Sequence, residues 1–332
     1  KEIILSTVDG IFAISDLTNL NQFKKINSNF FDFINYEKFY TETQYGIKDI
    51  LVNNDDLYVS FISQLRENCY NFRILKSKIN YEKLIFEIFY EIPDCVDKKN
   101  DHQYYAGQGA GGRMQIKNDT ILLSTGEFRN RPLAQDRESY YGKILEINLK
   151  SKKTNVISMG HRNIQGLYYS KKFDFIISTE HGPKGGDEIN INHKPSKKIK
   201  NFGWPISSYG EHYYKSHSDK ILKEAPLNKS HKKFGFEEPV KYFVPSIGIS
   251  EIIPLNNNEN EFLLGAMGSE IAEQDLGLHY IKLNDKKEKI IKHKYFPLNE
   301  RVRDMVISSN KELIILFLET TSSLAVLKKS IN

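Results

Sequence analysis

Tryptophan occurs once, cysteine twice and methionine four times in the 332 residues of the chain. Two cysteines, Cys69 and Cys95, are too few for a structural zinc site. They leave open one disulfide in an oxidising compartment or two buried thiols. Alanine is scarce and no long stripe of period 3.6 runs along the chain, which speaks against a helical protein. No segment approaches the ~20 consecutive apolar residues of a membrane helix. The longest apolar runs, near Leu84–Tyr90 and Leu313–Leu318, have the length of strands. The chain shows neither an initiator methionine nor a signal-peptide pattern, so Lys1 is expected to follow a removed or omitted segment. A dominant charge is missing as well: 47 basic residues face 42 acidic ones, a net charge of +5. The lysines lie in scattered pairs (Lys152–Lys153, Lys197–Lys198, Lys232–Lys233), the pattern of a solvated surface and not of a nucleic-acid stripe. Walker loop, Rossmann fingerprint and nucleophile elbow are all absent.

What the chain does have is short strands. At 39% hydrophobic and 12% aromatic residues it is too apolar for a disordered chain. Glu2–Thr7 and Gly10–Ser15 flank a tight turn at Val8–Asp9–Gly10. Runs such as Leu57–Ile62, Phe72–Lys76, Ile121–Thr125, Phe173–Thr179, Leu278–Leu283 and Glu312–Leu318 follow, rich in Ile, Phe, Tyr, Leu and Val and separated by polar turns. Asn53–Asn54–Asp55–Asp56, Asn118–Asp119 and Ser309–Asn310 each stand just before such a run. The number and spacing of these runs predict an all-β protein, a six-bladed β-propeller of four-stranded antiparallel blades forming a single domain over 1–332. The two ends of the chain are expected to meet in one blade, which removes free sheet edges. The segment from Ile189 to Glu238 has little strand character and reads as a long excursion of the kind that carries function.

Several motifs resemble the soluble quinoprotein glucose/sorbosone and aldose sugar dehydrogenases, a family of six-bladed propellers. They are Gly111–Gly112–Arg113, RPLAQD from Arg131 to Asp136, Gly142–Lys143–Ile144–Leu145, GHRNIQGL from Gly160 to Leu167 and EHGPKGGDEIN from Glu180 to Asn190. NFGWP from Asn201 to Pro205, Pro245–Ser246, Gly265–Ala266–Met267 and RVRD from Arg301 to Asp304 complete the set. They stand in family order between Gly111 and Asp304; before Gly111 the likeness is thin.

The resemblance implies pyrroloquinoline quinone (PQQ) and calcium as cofactors, a small sugar as substrate and an external electron acceptor. Three carboxylates and an ortho-quinone call for fixed cations, and arginine suits them because its planar fork stays charged. Arg162, Asn163, Arg301 and Arg303 match the cofactor-binding positions. Arg301 and Arg303 are two apart on an expected strand, so their side chains share a face; outside the family context they read as surface partners of Asp304 or Glu300. Gly182 and Pro183 match the place whose backbone carbonyls hold calcium, a hard ion that prefers oxygen ligands. Asp187–Glu188 reads as loop support, a second ion site or an acidic turn bonding its own backbone. Trp204 reads as a core anchor. Glu127 resembles the carboxylate that supports the catalytic base, and Gln44 the sugar-contacting glutamine; each reads equally as a solvated turn residue.

Two positions depart from the pattern. The base that takes the sugar hydroxyl proton stands, in the family, where this chain has Gly109, and a family lysine is replaced by Gly268. His102, in Asp101–His102–Gln103, is the substitute base if the glycines at 107, 109, 111 and 112 fold that segment back. Otherwise it is a solvated loop residue. His161 and His181 are expected to hydrogen-bond structurally, and His193, His212, His217 and His231 to be exposed. Three readings follow: an exported, periplasmic-type, calcium-dependent sugar dehydrogenase; a non-catalytic propeller of the same family that binds a ligand or protein; and a metal-dependent lactonase-like propeller. Nucleic acid is not an expected partner.

Overall fold

The computed structural model describes residues 2–17, 19–34, 46–99, 107–213 and 218–328. Six sheets follow one another along the chain, and the architecture is a six-bladed β-propeller. Each sheet is built from antiparallel neighbours in chain order, as short turns dictate. The first contains Glu2–Ser6, Phe12–Asp16 and Asn19–Ser28, with Lys83–Leu84 added in parallel. The second contains Ile47–Asn53, Asp56–Arg66, Cys69–Lys78 and Glu87–Glu91, with Val96–Asp97 also on Cys69–Lys78. The third runs Gly111–Lys117, Thr120–Thr125, Lys143–Asn148, Thr154–Met159 and, in parallel, Lys200–Asn201. The fourth holds Ile164–Ser170, Phe175–Glu180, Asp187–His193 and Lys241–Phe243. The fifth holds Ile249–Pro254, Glu261–Ala266, Gly277–Leu283 and Ile290–Pro297, and the sixth Val302–Ile307, Leu313–Leu318 and Ser323–Lys328.

Two details differ from the expectation of uniform blades. Sheets of three, four and five strands occur, and among the described residues Glu2–Ser6 and the last three strands belong to separate sheets, so the two ends do not share a blade. Local hairpins account for this: Glu2–Ser6 pairs with the very next strand, and Ser323–Lys328 with the one before it.

Stacked sheets explain why the strands read as continuous apolar runs. In Asp56–Arg66, Leu57, Val59 and Phe61 pack in a cluster with Phe12 and Ile26 of the first sheet, while Tyr58 and Ile62 pack with Met114 and Ile121 of the third. A strand buried on both faces carries no polar alternation. The chain divides into two compact units, Lys1–Val156 and Ile157–Asn332. In the first, Cys69 and Cys95 form a disulfide with Cα atoms 5.5 Å apart, the bonded one of the two alternatives. In the second, the strand Asp187–His193 occupies the start of the expected excursion, so the irregular stretch begins at Lys194. It contains the one α-helix among the described residues, Asp219–Glu224, and returns to the same sheet at Lys241–Phe243.

Candidate functional site

Phe175–Glu180 and Asp187–His193 pair in register from Phe175↔His193 to Glu180↔Glu188, so the turn between them ends the hairpin of the fourth sheet. That turn is His181–Gly182–Pro183–Lys184–Gly185–Gly186. Its close packing needs glycine: a Cβ on Gly182 would lie 2.2 Å from the Gly186 carbonyl oxygen. Buried carboxylates then pin it. Asp187 Oδ1 accepts from the Gly182 amide and Oδ2 from the Ile249 amide, both at 3.0 Å, so Asp187 supports the loop. Glu180 accepts the backbone N–H of Arg162 and stands 3.0 Å from His161 Nδ1, whose Nε2 is 2.8 Å from Ser158 Oγ. His161 therefore has the structural role expected of it.

Glu180 thus ties the GHRN segment to the EHGP turn and delivers Arg162 to a cleft. The Arg162 guanidinium donates to the His181 carbonyl at 2.9 Å and lies over the Trp204 ring, 5.3 Å from its centroid. Trp204 is buried, as an anchor should be, yet it also lines the cleft with Glu180, His181, Gly182, Gly186, Glu188, Ser207, Ser208 and His231. Asn163 reaches His181 Nδ1 at 3.4 Å, and Ser246 donates to the Pro183 carbonyl at 3.4 Å. Burial lowers the pKa of His181; Asp187 and a hydrogen bond with the Ile249 backbone oppose this, while the charges of Arg162 and Arg303 lower it further. Arg162 and Arg303 thus both act electrostatically on one ring.

Arg301 and Arg303 share one carboxylate, and it is neither Asp304 nor Glu300. Glu319, at the far end of the next strand's turn, accepts from Arg301 Nε at 3.2 Å and from Arg303 Nε at 2.5 Å. The pairing follows from the hairpin, whose register continues in the Glu319 amide donating to the Arg301 carbonyl. Arg301 also donates to the carbonyls of Met267 and Gly268, at 2.5 and 3.0 Å. A side chain at Gly268 has no room: its Cβ would lie 1.8 Å from Asp275 Oδ2. Asp275 fills that space because its carboxylate accepts the amides of Ser269 and Glu270. The lysine-to-glycine departure is thereby sealed by an acidic residue that sequence reasoning had not singled out.

Within the first unit, Gly109 has φ +61° and a Cβ there would lie 3.2 Å from Glu127 Oε1. Glu127 is buried, at 2% exposure, and so is no solvated turn residue. His102 and Gln44 lie outside the described residues, as does His217. Lys143 of the GKIL motif is fully buried and donates to the carbonyls of Leu133, Ala134 and Tyr141, pinning the RPLA turn; burial lowers its pKa to about 7.

The expectation of exposed histidines is corrected at His231, His193 and His212. His231 is 1% exposed, with Nε2 3.1 Å from Glu188 Oε1 and Nδ1 2.8 Å from the Phe202 carbonyl. A polar neighbourhood hid it, because composition alone does not distinguish a solvated histidine from one buried against a carboxylate. Burial pulls His231 down, but the Glu188 hydrogen bond and charge outweigh it, so its pKa is raised; burial also raises that of Glu188. His193 is half-buried against the Lys287 carbonyl, at 3.2 Å, and His212 is partly buried against that of Ala225, at 3.1 Å. No cluster of three or more His, Cys, Asp or Glu side chains that would hold a metal occurs among the described residues.

Fold and cleft together define a six-bladed propeller with an arginine-bearing turn at the end of one hairpin. The glucose/sorbosone dehydrogenase family model matches residues 25–326, and the chain belongs to that family. It is 30% identical over 167 residues to the aldose sugar dehydrogenase YliI of Escherichia coli, a match spanning 46% of this chain and 42% of that one. An uncharacterized protein of Synechocystis is 25% identical over 304 residues, 82% of this chain and 68% of its own. Among solved structures, a glucose dehydrogenase superposes with TM-score 0.73 at 20% identity, covering 100% of this chain and 96% of the other. A PQQ-bound aldose sugar dehydrogenase of Streptomyces coelicolor gives TM-score 0.60 at 17% identity, covering 95% and 91%. At these identities the structural likeness speaks for the fold.

Proposed function

We propose that the protein is a PQQ- and calcium-dependent aldose dehydrogenase that oxidises a small sugar and passes the electrons to an external acceptor. The observation that carries this reading is the Arg162 guanidinium held on the His181 carbonyl at 2.9 Å, at the turn that bears the Gly182 and Pro183 carbonyls. The residues fit such a group. Guanidiniums suit its carboxylates, and consecutive carbonyls suit a hard cation. Arg162, Asn163, Arg301 and Arg303 would bind the quinone, and Gly182 and Pro183 the calcium. When bound, the quinone supplies the two-electron acceptor for the anomeric hydride, with calcium as the Lewis acid on its carbonyl. The chain's own part is proton transfer and positioning: His102 takes the sugar hydroxyl proton, Glu127 orients it, and Gln44 holds the sugar. The Cys69–Cys95 disulfide supports an exported, periplasmic-type location.

A titration of apo protein with PQQ and Ca²⁺, followed by quinone absorbance, tests the cofactor. Saturable binding is expected, weakened in Arg303→Ala by about 1.5–3 kcal/mol, the size of a hydrogen bond to a charged group. Absence of binding to wild type overturns the assignment. The second reading, a non-catalytic propeller that binds a ligand or protein, is favoured by Gly109 and by the space at Gly268 that Asp275 fills. Dye-linked oxidation of an aldose panel separates the two readings: turnover that falls in His102→Ala supports the enzyme, and zero turnover with quinone bound supports the binding protein.

A further inference from the structure

We propose that one end of the second unit docks on an anionic phospholipid surface, through turns whose lysines surround the exposed ring of Phe173. This is independent of the quinone reading. In an antiparallel sheet the turns after the first and third strands lie at one end, and the turn after the second lies at the other. Turn 181–186, which borders the cleft, follows a second strand. Turns 171–174, 255–260 and 308–312 follow first strands, 284–289 follows a third, and 194–198 leaves the third strand of the fourth sheet. All five therefore lie a strand's length, roughly 20 Å, from the cleft end. Contacts join them into one surface. Lys172 Nζ donates to the Asn257 carbonyl at 3.2 Å and Lys311 Nζ to Asn257 Oδ1 at 2.9 Å. The Lys194 amide donates to the Asp174 carbonyl at 2.8 Å, and His193 Nε2 lies 3.2 Å from the Lys287 carbonyl.

Lysine pairs that are scattered along the chain, Lys171–Lys172, Lys197–Lys198 and Lys286–Lys287, thus converge. The five turns contain nine lysines, five acids and no arginine, an excess of four positive charges in a chain whose net charge is +5. Among the described residues none of the nine is ion-paired, whereas Lys200 and Lys282, next along the chain, are taken by Glu237 and Glu261. At the cleft end the balance is reversed: turns 160–163, 181–186, 267–276, 298–301 and 319–322 hold five acids against Arg162, Lys184 and Arg301. Lysine without arginine fits a partner that is charged but has no fixed geometry, since the planar fork of arginine is the group that reads an oriented phosphate or carboxylate. Fluid anionic headgroups are such a partner, and each lysine near them strengthens binding about five-fold. Phe173 adds an apolar element. Its ring is 39% exposed, with Lys172 Nζ 5.0 Å and Lys287 Nζ 4.5 Å from its centroid, so cations flank an aromatic suited to the headgroup layer. The same field repels the acidic end, which leaves the cleft facing solvent.

The test is co-sedimentation of the full chain with vesicles of phosphatidylglycerol and phosphatidylcholine, in a ratio of about 3:7, against vesicles of phosphatidylcholine alone. Binding is expected to the anionic vesicles only, and raising the salt from about 0.1 to about 0.5 M is expected to release the protein. Lys171→Ser/Lys197→Ser/Lys286→Ser removes three exposed lysines from three of the turns and is expected to bind about a hundred-fold more weakly. Lys223→Ser/Lys232→Ser/Lys233→Ser removes as much charge from exposed positions of the irregular stretch and is expected to stay within about three-fold of wild type. Phe173→Ser is expected to lose about five-fold; parity with wild type would strike the ring from the surface. Absence of wild-type binding to anionic vesicles overturns the proposal. So does an equal loss in both triple variants, which would assign the effect to net charge. Tighter binding to a short DNA duplex than to the vesicles overturns it in favour of nucleic acid.

Discussion

The two glycine-rich turns of this chain are held in opposite ways. In the first unit, the turn around Gly109 is packed backbone against backbone. The Gly126 amide donates to the Ala110 carbonyl at 2.5 Å, the Phe128 amide to the Gly109 carbonyl at 3.2 Å, and a Cβ on Gly126 would lie 1.9 Å from the Gly109 oxygen. In the second unit, the turn 181–186 is flanked by three buried acids, Glu180, Asp187 and Glu188, each bonded to a different neighbour. Both turns leave no room for a Cβ at their tightest glycines, but the second adds side-chain carboxylates as anchors. A backbone-packed turn tolerates change at few positions but asks little of charge. A carboxylate-pinned turn gains anchors and becomes sensitive to protonation.

The largest effect is expected where the first turn is tightest. Gly126→Ala forces a methyl into the Gly109 carbonyl and should lower the unfolding free energy by about 3 kcal/mol, the upper range for overpacking. Urea unfolding measures it; an unchanged midpoint would show that the turn yields easily and would break the contrast. Next comes the second turn. Asp187→Asn preserves shape but keeps one acceptor where two amides need one each, so a loss of about 2 kcal/mol is expected. Parity with wild type would mean that the acid is not what holds the loop. Smaller again is Gly109→Ala, whose φ of +61° asks a residue with a Cβ to adopt the left-handed region, at about 1 kcal/mol. Gly109→Asn should lose less than Gly109→Ala, since asparagine visits that region more readily. The reverse order would point to the Glu127 contact, and not backbone strain, as the limiting feature.

The same contrast shows what the sequence made legible. Strand periodicity and turn signals sufficed for the propeller, because each hairpin is local and every blade repeats it. The ordered motifs brought Arg162, Asn163, Gly182 and Pro183 to one hairpin end, since those segments are neighbours in a single sheet. Partners that arrive from elsewhere were not legible. Glu319 meets Arg301 and Arg303 through a hairpin whose length had to be known first. His231 meets Glu188 across the irregular stretch, where polar composition suggested exposure. Asp275 fills the space at Gly268, and nothing in a glycine announces which side chain occupies its place. The faint signal was acidity: each missed partner is, or is bound by, a carboxylate close to a motif.

Protonation gives the smallest and most selective test. Tyr209 stacks on the His231 ring, 5.5 Å between centroids, and Glu188 faces its Nε2, so the pair sits in a dry, aromatic setting. Burial lowers the affinity of His231 for a proton, but the bond and charge of Glu188 more than offset this, and its folded pKa stands above the ordinary 6.5. Burial raises that of Glu188 above the ordinary 4.5. Both shifts mean that the folded state holds a proton more tightly than the unfolded chain does. By linkage, the stabilisation is fully present below the unfolded histidine value and is lost as pH rises through the raised folded one. The stability advantage of wild type over His231→Gln should therefore be greatest near pH 6 and shrink steadily toward pH 9. Lys143 acts in the opposite direction over the upper part of this range, its folded pKa being lowered to about 7, but it is common to both proteins and cancels in the difference. Denaturant unfolding of the two proteins at matched pH values reads that difference directly. A constant difference across the range would show that His231 is held neutral, and that the second turn's carboxylates act through hydrogen bonds without charge.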